Sequence, residues 1–167
     1  RNDPRVLINY QSIGSGGGIR QVTERTVDFG ASDAAMTDAE LAKAPGKLLH
    51  IPMTLGAVVV TYNLPEVAGL KLSPEVVAGI FLGDINIWND PRIAESNPGV
   101  ALPGQPITIA HRTDGSGTTA VFTEYLAKVS IAWKEKVGAG KSVKFPVGLG
   151  AKGNEGRRNR NGKARQR

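Results

Sequence analysis

Residues 107–129, "ITIAHRTDGSGTTAVFTEYLAKV", decide the fold class. The β-branched run up to Arg112 predicts a strand, and the spacing of apolar residues from about Thr118 to Lys128 predicts an amphipathic helix. Between them lie Arg112, Asp114, Gly115, Ser116, Gly117 and Thr118. The first N–H groups of a helix are unpaired and carry the positive end of its dipole, so this loop is a candidate anion seat. Arg112 adds a forked set of donors, and Asp114, two residues on, is placed to hold that fork. By itself the loop is equally compatible with an ordinary capped turn beside a surface arginine.

The same strand, loop and helix succession recurs upstream. "VLINYQ" (6–11) predicts a buried strand, and the glycines of "SIGSGGGIRQVTERT" (12–26) predict a tight turn into a short helix. "VDFGASD" (27–33) predicts another strand ending at Asp33, and "MTDAELAKA" (36–44) places a capping threonine before a brief helix. "LLHIPMTLGAVVVTYNL" (48–64) predicts two strands broken near Thr54 to Gly56, with Pro65 marking the exit. "LSPEVVAGIFLGD" (72–84) predicts a helix capped by Ser73, with Pro74 at its first position and a stop at Gly83. This alternation implies α/β layers on a mainly parallel sheet, with ligands at the carboxyl ends of strands and the amino ends of helices. Three polar loops fall there: Gly14 to Gly18, Ser32 to Asp33, and Arg112 to Thr119.

Composition narrows the chemistry. The 167 residues contain no cysteine, which excludes disulfides, thiolate metal sites and a cysteine nucleophile. The net charge of +6 arises in "RRNRNGKARQR" (157–167), leaving 15 basic and 15 acidic residues in a neutral body. No apolar run reaches the roughly 20 residues that span a bilayer, and the start "RNDPRVLINYQ" has no secretory-signal pattern. Neither glycine loop carries GxGxxG, GK[ST] or GxSxG, so dinucleotide binding, phosphate hydrolysis by a P-loop and a hydrolase nucleophile elbow are not indicated. His50 and His111 lack metal-ligand spacing and read as structural, and Trp88 and Trp133 read as packing residues.

Asp33 reads as an ordinary strand-end acid unless it faces an anion. A carboxylate tolerates an anion only if that anion has a proton to donate. Phosphate near neutral pH keeps a proton and sulfate does not, so an acceptor within a ring of donors would separate the two.

Four ordered stretches, "INYQSIGSGGGIRQVTERTVDFGASDAAMTDAEL", "FLGDINIWNDPRIAESNPG", "HRTDGSGTTAVFTEYL" and "FPVGLGAKGNEG", resemble the phosphate-binding proteins of bacterial high-affinity phosphate ABC transporters. The resemblance covers the body up to about Gly156. It implies a periplasmic binding protein-like, two-lobed type II fold, incomplete in this chain, with 1–62 in one lobe and 63–156 in the other. Residues 157–167 are expected to be a disordered basic tail.

It also implies phosphate ligands at Ser15, Asp33, Arg112, Ser116, Gly117 and Thr118, with Asp114 holding the arginine. The implied protein is a monomer, periplasmic or anchored at the cell surface, that passes inorganic phosphate to a membrane permease. It is not an enzyme, and neither a cofactor nor a metal is expected. The family's opening strand with a "GATFP"-like loop and its remaining half have no counterpart in this sequence. The abrupt change after Gly156 resembles a shift of reading frame. The competing reading is an anion- or nucleic-acid-interacting protein that works through the basic tail. A phosphoryl-transfer enzyme is set aside because no phosphate loop holds a histidine or cysteine nucleophile.

Overall fold

The computed structural model describes residue 3 and residues 5–154. The basic tail, with the reading-frame and disorder expectations attached to it, lies outside the described residues. Among the described residues six helices and two strands follow one another: α1 (Gly14–Thr23), α2 (Asp38–Leu41), α3 (Pro74–Leu82), α4 (Pro91–Glu95), β1 (Ala110–Arg112), α5 (Gly117–Val129), α6 (Ile131–Lys136) and β2 (Leu149–Ala151).

Local signals set the helix limits. Ser73 Oγ accepts the Val76 N–H at 3.3 Å, Pro74 occupies the first turn, and Gly83 ends α3 in the left-handed region at φ 87°, as its sequence predicts. Thr37 caps α2 in a reciprocal box with Glu40, and Ser116 Oγ caps α5 by accepting the Thr119 N–H at 3.2 Å. Ser130 both ends α5 and caps α6, turning the chain so that Trp133 points inward. The indole N–H then donates to the Gly138 carbonyl at 2.9 Å, so burying this large ring leaves no orphan donor.

The core is built around α3, which is apolar from Val76 onward and buries Val76, Val77, Ala78 and Ile80. One face sends Val76 and Ile80 against Ile85, Ile93 and Ile109. Another sends Val77 and Ala78 against Leu126 and Trp133. Each fully buried large aliphatic side chain contributes about 1.5–3 kcal/mol relative to exposure. Asn97 ties the chain before α3 to α4: its amide donates to the Lys71 and Ile93 carbonyls at 2.7 and 2.8 Å and accepts the Lys71 N–H at 2.8 Å.

β1 and β2 pair in parallel, with Arg112 opposite Ala151, so the strand predicted over 107–112 does deliver Arg112 to the end of a ladder. The rest of the expected sheet does not form. Residues 6–11, 27–33 and 48–64 carry strand-like sequences yet form no ladder among the described residues. Every residue from 49 to 61 is exposed, with Leu55 completely so. A strand gains its hydrogen bonds from a partner strand, and among the described residues no strand pairs with these segments, so apolar alternation alone does not order them. The glycine run also differs in part from its expectation. Gly14 makes the turn at φ 74°, but Gly16, Gly17 and Gly18 already belong to α1, which begins at Gly14 without a side-chain cap.

Candidate functional site

The amino ends of α1 and α5 meet. The Gly16 N–H, in the first turn of α1, donates to the Gly115 carbonyl at 2.9 Å, just ahead of α5. Ser15, buried at this junction, accepts the Asp33 N–H on its hydroxyl at 3.2 Å. The Thr118 hydroxyl in turn donates to an Asp33 carboxylate oxygen at 3.0 Å. Gly117 is what permits the approach: a Cβ there would stand 2.6 Å from both Asp33 Cβ and Ser15 Oγ. Ser15 in the first turn of α1, Asp33 in the loop after it, and Gly117 and Thr118 at the start of α5 are thus brought together.

Ser116 takes a different place. It is almost fully buried, its hydroxyl is used as the α5 cap, and its N–H donates to the Lys141 carbonyl at 2.9 Å. It shapes the loop from beneath. In that cap the hydroxyl oxygen accepts, so its own O–H remains available to donate.

Arg112 and Asp114 form the second half of the cluster. Arg112 Nε donates to Asp114 Oδ1 at 2.6 Å and Nη2 donates to Oδ2, a two-point fork, while Nη1 donates to Asn154 Oδ1 at 2.7 Å. The Gly153 N–H adds a bond to Asp114 Oδ1 at 3.0 Å. The Arg112 guanidinium, foremost, and then the Gly153 N–H hold the Asp114 carboxyl well below the usual carboxylate range, against the opposing effect of burial. The pair lies beside the start of α1, where a Cβ on Gly14 would stand 3.1 Å from Arg112 Nη2 and 3.0 Å from Asp114 Oδ2.

Two features escaped the sequence reading. Asn154 lies in the quoted stretch "FPVGLGAKGNEG", but nothing in a lone asparagine says that it meets an arginine 42 residues earlier. Lys141 donates to both carboxylate oxygens of Glu40, at 2.9 and 2.8 Å, across 101 residues of chain. His111 and both tryptophans make packing contacts, and His50 is exposed. His111 stacks on Phe145 with ring centroids 4.4 Å apart, His50 accepts the Met36 N–H at 3.2 Å, Trp133 is buried, and Trp88 leans on Tyr62.

Chemically the cluster assembles two helix amino ends, hydroxyl donors, one braced guanidinium and one acceptor carboxylate. That inventory suits a protonated oxyanion. The family model described as "PBP superfamily domain" matches residues 1–163. The chain belongs to this PBP superfamily. Within the superfamily it is 58% identical over 151 residues to "Phosphate-binding protein PstS" of Pasteurella multocida, covering 89% of this chain and 43% of that protein. It is 52% identical to the protein of the same name from Xylella fastidiosa strain Temecula1, with 89% and 41% covered. It is 44% identical to that of Methanocaldococcus jannaschii, with 93% and 43% covered. The resemblance seen in the four motifs therefore extends along most of the chain. The chain spans less than half the length of these curated relatives. Their names denote binding proteins rather than enzymes. Among the described residues no helix is long and apolar enough to cross a membrane.

Proposed function

We propose that this chain carries the inorganic-phosphate seat of a substrate-binding protein serving a phosphate ABC transporter, by capture without catalysis. In this reading Ser15, Asp33, Arg112, Gly117 and Thr118 face the anion, Ser116 supports or joins them, and Asp114 braces Arg112. The protein is periplasmic or cell-surface anchored, acts as a monomer, and hands phosphate to a membrane permease. Residues 1–62 and 63–156 belong to the two lobes of a type II binding fold that closes on one dehydrated ion. The observation that carries the reading is the junction of α1 and α5. There the Asp33 carboxylate accepts the Thr118 hydroxyl at 3.0 Å, while the Asp33 N–H donates to Ser15 Oγ at 3.2 Å and so fixes the acid at the junction. The names of the PstS relatives support the same substrate.

Titration calorimetry tests it, on the chain joined to the portion of the Pasteurella multocida relative that it does not span. Phosphate is expected to bind far more tightly than sulfate, because sulfate leaves the Asp33 acceptor unpaired. That penalty is about 1–3 kcal/mol or more, roughly fivefold to 150-fold or more in affinity. Asp33→Asn should shrink the difference between the two anions. Equal affinities in the unsubstituted protein would remove the reading.

A further inference from the structure

We infer that Glu40 and Lys141 are positioning residues, an electrostatic latch that holds α1 and α2 against the start of α5 and so sets the spacing of the anion seat. The two side chains come from opposite sides of the junction and are only 29% and 16% exposed, with N to O distances of 2.8 and 2.9 Å. Each end of the latch is anchored. Glu40 Oε2 also accepts the Thr37 N–H at 2.8 Å, which ties it to the start of α2. On the other side the Lys141 carbonyl accepts the Ser116 N–H at 2.9 Å, and the preceding Gly140 N–H donates to the buried Thr123 hydroxyl at 3.0 Å. A pull on the Lys141 ammonium is therefore transmitted to the residue that caps α5. Lys141 and, after it, the Thr37 N–H hold the Glu40 carboxyl below its ordinary range, consistent with a pair charged at neutral pH.

The need for such a latch follows from how little else joins the two sides. Before Leu64 the buried residues are Ser15 and Gly18, so no apolar core crosses the junction among the described residues. Where the hydrophobic effect does not fix a geometry, a partly shielded ion pair with two-point contact can. The consequence for phosphate rests on the proposed function; the latch itself does not.

The test is amide exchange on the 167-residue chain. It is read at Gly16, whose N–H crosses to Gly115, with Val77 in α3 as the internal reference. Glu40→Gln keeps a side-chain acceptor for the Thr37 cap while removing the charge, and Lys141→Met keeps the stem. Each should speed exchange at Gly16 about three- to tenfold and leave Val77 unchanged, the range expected for losing one well-placed ion pair. Raising salt should speed Gly16 in the parent chain and not in either variant, a response that packing alone would not give. The swap Glu40→Lys with Lys141→Glu should return Gly16 to within about twofold of the parent, the margin by which a re-formed pair differs in geometry. Unchanged exchange in both single variants, or a swap no better than either, overturns the latch. Adding inorganic phosphate to the same variants in the chain joined to the portion of the Pasteurella multocida relative that it does not span separates the two ideas. If phosphate slows Gly16 in no chain while the salt and swap results hold, the latch stands and the phosphate reading loses its support.

Discussion

Residues 5–63 and residues 64–154 are similar in their apolar content but opposite in what they do with it. The later region buries Trp133, Ile93 and Leu126 completely or nearly so and wraps two clusters around α3. The earlier region leaves Leu7, Leu49, Ile51, Met53 and Leu55 in the open. Its helices meet the rest of the chain chiefly through glycines, hydroxyls and one ion pair. The difference teaches that hydrophobic sequence is not a core until something lies against it. Helices made by local bonds can pack on one another at once, whereas strand-like segments wait for partners that are distant in sequence.

The largest test of this comparison is Trp133→Ala. It removes the most voluminous fully buried side chain, so a loss of about 3–5 kcal/mol is expected in denaturant unfolding followed by circular dichroism. The region after Leu64 should lose its cooperative transition. A loss under about 1 kcal/mol, the range of ordinary surface changes, would mean that this region is not the stable unit.

Gly117→Ala comes next, since it forces a methyl group to within 2.6 Å of Asp33 and Ser15. Overpacking of this kind costs about 1–3 kcal/mol. Here the strain should appear as separation of α1 from α5, visible in amide exchange at Gly16, more than as a shift of the global melt.

Acid should weaken the region through Asp114. Its carboxyl titrates below the ordinary aspartate value of about 4 when folded, so its stabilising contribution is complete above that value and is lost as pH falls below it. Asp114→Asn should flatten the dependence of unfolding free energy on pH in that acid window. A slope unchanged by the substitution would show that Arg112 does not hold Asp114 as described.

The smallest effect on stability is expected from Leu55→Lys, which alters a fully exposed residue and should stay within about 0.5 kcal/mol. Its visible effect should be on solubility, because the exposed strip from 49 to 61 has the pattern of an unpaired strand that seeks a partner. Light scattering at high protein concentration should fall. No change in scattering would mean that this strip is not what associates.

Much of the site was legible before any coordinates, for reasons particular to each residue. Arg112 and Asp114 are two apart, and a strand followed by a capped helix puts both at the helix start. Ser73, Pro74 and Gly83 bound α3 by chemistry that acts within one turn, so neighbours in sequence were enough. The glycines were only partly legible because Gly is permissive rather than directive: Gly14 makes a turn at φ 74°, whereas Gly16, Gly17 and Gly18 are helical. Asn154 and the Glu40 to Lys141 pair were invisible because their meaning lies wholly in partners 42 and 101 residues away.

By itself the sequence determined what acts over a few residues: the caps, the helix limits, the neutral body, the absence of thiol chemistry, and the donor-rich loop ahead of α5. The tertiary structure alone decided which apolar stretches become core, which strand-like stretches stay unpaired, and that Ser15, Asp33 and Thr118 meet. The physical reason is that hydrogen-bond caps are paid for locally, while sheet ladders and the convergence of Asp33 with Thr118, 85 residues apart, depend on chain closure and on what else is packed nearby.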